Sequence, residues 1–190
     1  MQDFENDIEQ CLQVLRNGGI ILYPTDTVWG IGCDATDPEA VEKVYQLKNR
    51  TDNKAMIVLV ADEKDIIKYV AHPDMKVFDY LQQTSKPTTV VYEGALGLAD
   101  NLTGNDGSIA IRICYDTFCR HLIKRFRKPL VSTSANISGE KTPLIFNDIT
   151  ADILDAVDYV VKYRQEDERI AEPSAVIKWN KDATVTILRS

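Results

Sequence analysis

Apolar residues recur along the chain at two different spacings, and these spacings predict an alternation of helices and strands. Near the start, apolar side chains recur every three or four residues until Gly18–Gly19, which predicts a helix that ends there; they are Phe4, Ile8, Cys11, Leu12 and Leu15. The pair Asp37–Pro38 predicts a second helix, because Asp is a common N-cap and Pro fits the first helical position. Helical patterns also cover about 62–70 and 74–84, DTFCRHLIKRF and the first part of ADILDAVDYVVKY.

Short apolar runs between these helices predict the strands. AMIVLV is apolar throughout, as is typical of a strand buried on both faces. The other runs are GIILY, TTVVYEG, SIAIRIC, KPLVSTSAN, the end of ADILDAVDYVVKY, SAVIKW and TVTILRS. KPLVSTSAN is predicted to begin as a strand and to end in a polar loop. SAVIKW and TVTILRS are predicted to pair antiparallel around the turn NKDA. Some strands follow each other directly and others are separated by helices, which favours a three-layer α/β (α+β) fold with a mixed sheet. No shift in composition marks a boundary, so we predict a single domain over residues 1–190.

Composition and charge narrow the classes of function. The 190 residues are 44% hydrophobic and 27% charged, as in an ordinary globular protein. The four cysteines form no CxxC pair, so we expect buried thiols rather than a metal centre or a disulfide framework. A net charge of −7 argues against a protein that grips nucleic acid by its phosphates alone, but it is compatible with a local basic pocket. The chain has an acidic start and no apolar run of membrane-spanning length, so we expect a cytoplasmic protein without membrane contact.

Two polar stretches in the first third of the chain are candidates for ligand binding. YPTDTVWGIG, residues 23–32, follows a predicted strand, and its glycines allow close backbone approach; an ordinary Pro-Thr-Asp turn is the alternative. LKNRTDNK, residues 47–54, places Lys48, Arg50 and Lys54 within seven residues of an acidic chain. Such cations suit a triphosphate or pyrophosphate, whereas basic residues that only complete a helix C-terminus are the alternative.

A third polar stretch, LVSTSANISG at residues 130–139, carries five hydroxyl or carboxamide side chains, at Ser132, Thr133, Ser134, Asn136 and Ser138. We judge it too polar for a core strand and expect a loop that forms a neutral cradle for phosphate oxygens or a small polar substrate. Side chains that bond only to their own backbone are the alternative.

Motifs of common enzyme classes are missing. The chain has no P-loop, no dinucleotide-binding fingerprint and no nucleophile elbow. Its two histidines, His72 and His121, are not near a candidate nucleophile, which disfavours a Ser-His-Asp hydrolase.

Taken together, these stretches closely resemble the YrdC-like family of threonylcarbamoyl-AMP synthases. Seven pieces match in the family's order: YPTDTVWGIGCDA, VEKVYQLKNR, PTTVV, SIAIRI, KPLVSTSANISG, PSAVI and the terminal ILR. The family's signature, Lys-x-Arg followed later by Ser-x-Asn, stands here as Lys48/Arg50 and Ser134/Asn136.

The resemblance implies a fold, a reaction and partners. The fold is the family's twisted, mixed α/β sheet with a concave, positively charged cavity. The activity is that of a nucleotidyltransferase that makes L-threonylcarbamoyl-AMP and pyrophosphate from L-threonine, bicarbonate and ATP, with Mg²⁺ accompanying the ATP. Partner proteins then transfer the threonylcarbamoyl group to an adenosine of certain tRNAs. Direct contact with tRNA or double-stranded RNA is a further implication.

The resemblance also implies roles for individual residues. Lys48 and Arg50 correspond to the catalytic pair. The ATP contacts correspond to Arg50, Lys54, Thr89, Ser134, Asn136, Thr142 and Arg189, and the L-threonine contacts to Thr27, Arg112, Ser132 and Ser174. No metal ligand is implied among the side chains.

The sequence departs from the family's pattern at several positions. Arg50 is followed by Thr51 rather than Pro, residues 54–56 read KAM, and residues 85–87 read SKP. Longer relatives have a histidine where Leu59 stands. The alternative function is a non-catalytic protein of the same fold that binds tRNA or double-stranded RNA, but the retained signature residues favour catalysis.

Overall fold

The computed structural model describes residues 4–49, 56–180 and 182–190. Its helices are α1 (Glu5–Arg16), α2 (Pro38–Leu47), α3 (Glu63–Tyr69), α4 (Lys76–Gln82), α5 (Thr117–Phe126) and α6 (Ala151–Ala156). Its strands are β1 (Ile21–Tyr23), β2 (Gly30–Gly32), β3 (Ile57–Val60), β4 (Thr88–Tyr92), β5 (Ile109–Ile113), β6 (Leu130–Ser134), β7 (Tyr159–Val160), β8 (Ala175–Trp179) and β9 (Val185–Arg189). Except for β2, all of these elements lie where the apolar pattern predicts them.

The two best-defined helix starts follow from carboxylate caps. Oδ1 of Asp37 accepts hydrogen bonds from the backbone amides of Glu39 (2.9 Å) and Ala40 (3.3 Å), as predicted for the N-cap of α2. Asp116 caps α5 in the same way, since its Oδ1 accepts from the amide of Cys119 at 3.0 Å. Each cap satisfies backbone amides in the first turn of its helix and so fixes where the helix begins.

The described strands form one mixed sheet, in the order β7-β1-β2-β6-β3-β5-β4-β8-β9. The pairs β1–β7, β3–β5 and β4–β8 are parallel, and the other neighbouring pairs are antiparallel. The mixed sheet and the antiparallel β8–β9 hairpin are therefore confirmed. Successive residues of β3 and β5 are buried although their side chains point to opposite faces, so both faces are covered at the centre of the sheet.

Strand β6 corrects one expectation, because the polar stretch 130–139 begins inside the sheet. Ser132 of β6 pairs with Ile57 of β3, and Thr133 and Ser134 pair with β2. The expectation that these hydroxyls lie in a loop was wrong for Ser132, Thr133 and Ser134. A strand tolerates them here because neighbouring strands bond its backbone on both sides, while their side chains border a cavity.

Strand β2 is three residues long, Gly-Ile-Gly, and was expected to be part of a loop. Glycine has low strand propensity, so the local sequence does not predict this element. It forms because β1 and β6 offer pairing edges on both sides. A side chain at Gly32 would not fit, since a Cβ there would lie 2.5 Å from the carbonyl oxygen of Val131 and 2.6 Å from Cε1 of Tyr23.

The cysteines behave as expected: Cys11, Cys33, Cys114 and Cys119 are all buried free thiols. Burial raises the pKa of Cys11, Cys33 and Cys119 above that of an ordinary thiol. Within the described ranges, no helix is long and apolar enough to cross a membrane.

Candidate functional site

A cavity of about 210 Å³ opens on one face of the sheet. Seven residues expected to contact substrate line it: Thr27, Arg112, Ser132, Ser134, Thr142, Ser174 and Arg189. They come from positions up to 162 residues apart, so only the fold brings them together. The cavity is therefore the candidate functional site.

The register of the sheet explains why these side chains converge. Ser134 pairs with Gly30, and Ser132 pairs with Ile57. Arg112 pairs with Leu59 on one side and with Thr89 on the other. Residues directly opposite each other on neighbouring strands project from the same face, and side chains alternate along each strand. The hydroxyls of Ser132 and Ser134 and the guanidinium of Arg112 therefore face the same side of the sheet.

Gly30 leaves room for one of these hydroxyls. A Cβ at Gly30 would lie 2.9 Å from Oγ of Ser132, which is closer than real Cβ contacts. The missing side chain therefore keeps this serine oxygen accessible from the cavity. Apolar residues complete the wall beside it, namely Val28, Trp29, Met56 and Ile57.

The loop between β1 and β2, residues 24–29, is called the first loop. Thr25 organises it, since its Oγ1 donates to the carbonyl of Val28 at 2.9 Å and accepts from the amide of Thr27 at 2.9 Å. The hydroxyls of Thr25 and Thr27 are also 3.0 Å apart. This local network turns the side chain of Thr27 to the cavity and leaves that of Asp26 free to reach β5.

Asp26 and Arg112 form an ion pair at the edge of the cavity. Nη2 of Arg112 lies 2.9 Å from Oδ1 of Asp26, and the side chains are only 3% and 13% exposed. Among the described residues, neither carboxylate oxygen of Asp26, nor Nε or Nη2 of Arg112, has a partner with hydrogen-bond geometry. Arg112 is thus charge-paired, while part of its hydrogen-bonding capacity stays unused within the described part of the chain.

Arg189 brings a second cation to the same cavity. Its Nε donates to the carbonyl of Ser174 at 3.0 Å, and its Nη2 donates to the hydroxyl of Ser174 at 3.3 Å. Burial, and next the nearby charge of Arg112, lower the pKa of Arg189 below that of an ordinary arginine. Two arginines that repel each other across one cavity favour a negatively charged ligand between them.

Thr89 does not line the cavity. It is fully buried, and its hydroxyl lies 2.8 Å from that of Ser174. Its position supports Ser174 from behind, and its expected contact with ATP stays a prediction.

Lys48 and Asn136 lie behind the cavity wall and hold the loop that follows β6. Nζ of Lys48 donates to the carbonyls of Ser134 (2.5 Å) and Asn136 (2.6 Å), and the residue is 2% exposed. Nδ2 of Asn136 donates to the carbonyls of Ile137 (2.9 Å) and Glu140 (3.0 Å). The signature residues Lys48, Ser134 and Asn136 therefore form one network, while their catalytic and ATP-binding roles stay predictions.

Arg50 and Lys54, the other two expected ATP contacts, lie outside the described residues. Sequence reasoning gave no role to the apolar wall or to the ion pair of Asp26. Trp29, a large apolar residue inside the otherwise polar first loop, could have indicated that the cavity has an apolar wall. Asp26 and Arg112 are 86 positions apart, and no local pattern links them.

Comparisons with known proteins place the chain in a family. The Sua5/YciO/YrdC family model, described as "Telomere recombination", matches residues 13–190. A protein of Pseudoalteromonas translucida (strain TAC 125) named threonylcarbamoyl-AMP synthase is 32% identical over 160 residues, covering 83% of this chain and 86% of that protein. A protein of the same name from Idiomarina loihiensis is 34% identical over 146 residues, covering 75% of this chain and 78% of that protein.

Solved structures share the fold. The chain matches P. abyssi Sua5 complexed with L-threonine with a TM-score of 0.85 at 22% identity, over 97% of this chain and 54% of that one, so it spans about half the length of that protein. It matches E. coli YciO with a TM-score of 0.83 at 21% identity, over 97% and 89%. The solution structure of MTH1692 from Methanobacterium thermoautotrophicum matches with a TM-score of 0.71 at 32% identity, over 96% of this chain and 85% of that one. The chain belongs to the Sua5/YciO/YrdC family and has its mixed α/β fold.

Proposed function

We propose that this protein is an L-threonylcarbamoyladenylate synthase that serves threonylcarbamoyl-adenosine modification of tRNA. One observation carries the proposal: two arginines and a ring of hydroxyls, all expected to contact substrate, line a single cavity. Such a cavity suits a ligand that has both negative charge and small polar groups. The names of the relatives at 32–34% identity favour this activity over the non-catalytic RNA-binding alternative.

The proposed reaction has two steps. The amino nitrogen of L-threonine and bicarbonate first combine to a carbamate with loss of water. A carbamate oxygen then attacks the α-phosphorus of ATP, the bond to the β-phosphate oxygen breaks, and pyrophosphate leaves. The protein needs no covalent intermediate, so its contribution is positioning and charge stabilisation.

The cavity divides into two halves under this proposal. Thr27, Ser132 and Ser174 surround the amino acid, and Arg112 takes its carboxylate. Arg189, Ser134 and Thr142 face the nucleotide. Arg50 and Lys54, which lie outside the described residues, are expected from the resemblance to contact it as well. With these two residues the nucleotide half would hold three cations against one in the amino-acid half, which suits a triphosphate.

Mg²⁺ is part of the proposal as the companion of ATP. Within the described ranges, no group of three or more His, Cys, Asp or Glu side chains could hold a metal ion. This fits a Mg²⁺ that is bound mainly by phosphate oxygens and water, as is usual for nucleotide-borne magnesium. The ion would offset the negative charge of the leaving pyrophosphate.

The test is pyrophosphate release by the purified protein. We expect release that requires ATP, Mg²⁺, L-threonine and bicarbonate together and that falls to background when any one is omitted. Arg112→Ala should raise the KM for L-threonine, and Ser134→Ala should raise that for ATP. If the folded protein, with every substrate present, releases pyrophosphate no faster than background, the proposed activity is refuted.

Other parts of the proposal come from the resemblance alone. They are the handover of the product to partner proteins, direct contact with tRNA and a cytoplasmic location. Each stays a prediction.

A further inference from the structure

Arg164 lies in the segment between β7 and β8, and its guanidinium connects the start of α5 with the first loop, which borders the cavity. Its Nη1 donates to Oδ2 of Asp116 at 2.7 Å, and its Nη2 donates to the carbonyl of Thr25 at 3.4 Å. Its Nε lies 3.4 Å from a carboxylate oxygen of Asp167. The side chain is 25% exposed, so these charged contacts are partly shielded from water. The segment between β7 and β8 is therefore anchored near its start.

The partner of Arg164 is also the cap of a helix. One carboxylate oxygen of Asp116 caps α5, and the other accepts from Arg164. The first turn of α5 also holds the first loop directly, since the thiol of Cys119 donates to the carbonyl of Pro24 at 3.2 Å. Successive carbonyls of the first loop, those of Pro24 and Thr25, are thus tied to the start of α5, one by Cys119 and one through Arg164.

The residues that follow these carbonyls are the ones that reach the site. Asp26 pairs with Arg112, and Thr27 lines the cavity. If the carbonyl of Thr25 is released, the first loop can move away from β5. Asp26 and Thr27 would then shift together relative to Arg112, whereas β6 and Arg189 would stay in place.

The backbone of Arg164 gives a second, independent observation. Its φ is +67°, in the left-handed region that residues other than glycine rarely adopt. A glycine would relieve this conformation, yet the position carries a long side chain that makes three polar contacts. An unfavourable backbone at a residue that touches the border of a site points to a functional constraint.

We propose that Arg164 is a positioning residue for the amino-acid half of the cavity: it ties the first loop to α5 and so keeps Asp26 and Thr27 beside Arg112. Only the identity of the ligand rests on the proposed function.

The test compares Arg164→Gly, Arg164→Lys and the control Arg169→Ala. Glycine suits the left-handed backbone, so Arg164→Gly should keep the thermal midpoint of the wild type while losing the contacts. We expect its KM for L-threonine to rise about tenfold, with the KM for ATP within about twofold of the wild-type value. Lysine can pair with Asp116 but lacks the forked guanidinium needed to reach Thr25 as well. The KM of Arg164→Lys for L-threonine should therefore lie between those of the wild type and Arg164→Gly. Arg169, 84% exposed, pairs with Asp167 in the same segment, and its removal should change neither KM.

Amide hydrogen exchange without ligands gives a readout that does not depend on activity. Exchange of residues 25–28 should become faster in Arg164→Gly and stay unchanged in Arg169→Ala. A wild type without pyrophosphate release would overturn the proposed function, but the exchange comparison would still test Arg164. Unchanged exchange, an equal rise of both KM values, or a lysine variant no better than glycine would each overturn the positioning role.

Discussion

Nη2 of Arg112 lies 2.9 Å from Oδ1 of Asp26, and this ion pair joins the first loop to the centre of the sheet. Both side chains are nearly buried, so the pair is little screened by solvent. It holds the guanidinium in one place while leaving donors unused. A charge pair at the wall of a cavity that also contains Arg189 has consequences for both stability and ligand binding.

Asp26→Asn should destabilise the protein and make its stability depend on anions. The substitution removes the negative partner and leaves Arg112 almost buried without a counter-charge, which costs about 3 kcal/mol in comparable buried pairs. Urea unfolding with and without L-threonine or pyrophosphate measures this. Each ligand offers a negatively charged group to Arg112, so each should restore part of the lost free energy, and more than it adds to the wild type. A variant as stable as the wild type in plain buffer would show that the pair contributes little.

Gly30→Ala should impair the site more than the fold. The new Cβ would lie 2.9 Å from Oγ of Ser132 and would push this hydroxyl from its place. We expect a destabilisation of about 1–2 kcal/mol, as for a small overpacking, with a larger loss of pyrophosphate release. A double-mutant cycle with Ser132→Ala tests the cause. If the two losses of activity simply add, Gly30 does not act through Ser132.

The apolar pattern predicted the helices and most strands because their burial repeats with the period of each element. Asp37 and Pro38 marked the start of α2 by local chemistry alone. Strand β2 and the last residues of β6 escaped, since they are held by pairing with strands distant in sequence rather than by their own propensity.

The site was predictable only as separate pieces. Motif matching named Ser132 and Arg112, and the structure adds that both line one cavity. Motif matching could not separate residues that line the cavity from residues behind its wall, such as Lys48 and Thr89. That distinction depends on burial and on partners elsewhere in the chain. The contacts of Arg164 had no local signal either, since both Thr25 and Asp116 are distant in sequence.

Lys48→Met should destabilise the loop that follows β6. Its ammonium donates to the carbonyls of Ser134 and Asn136, and methionine would leave one buried and one partly buried oxygen without this partner, at a cost of about 1–3 kcal/mol. Loss of activity should therefore come with a lower urea midpoint and faster hydrogen exchange in residues 134–140. Lost turnover with unchanged stability and exchange would instead support direct participation of Lys48 in catalysis.

Alkaline pH should destabilise the fold through its buried thiols. Burial raises the pKa of Cys11, Cys33 and Cys119 in the folded protein, whereas in the unfolded chain a thiol titrates near about 8.5. Above that pH the unfolded state binds fewer protons than the native state, so the free energy of unfolding falls by up to about 1.4 kcal/mol per pH unit for each thiol. Urea unfolding from about pH 7 to 10 measures how steeply the free energy of unfolding falls with pH. Cys33→Ala should make this slope shallower by the contribution of one titrating thiol, while leaving pyrophosphate release intact. A stability that stays flat above pH 9 would mean that these thiols ionise in the native state.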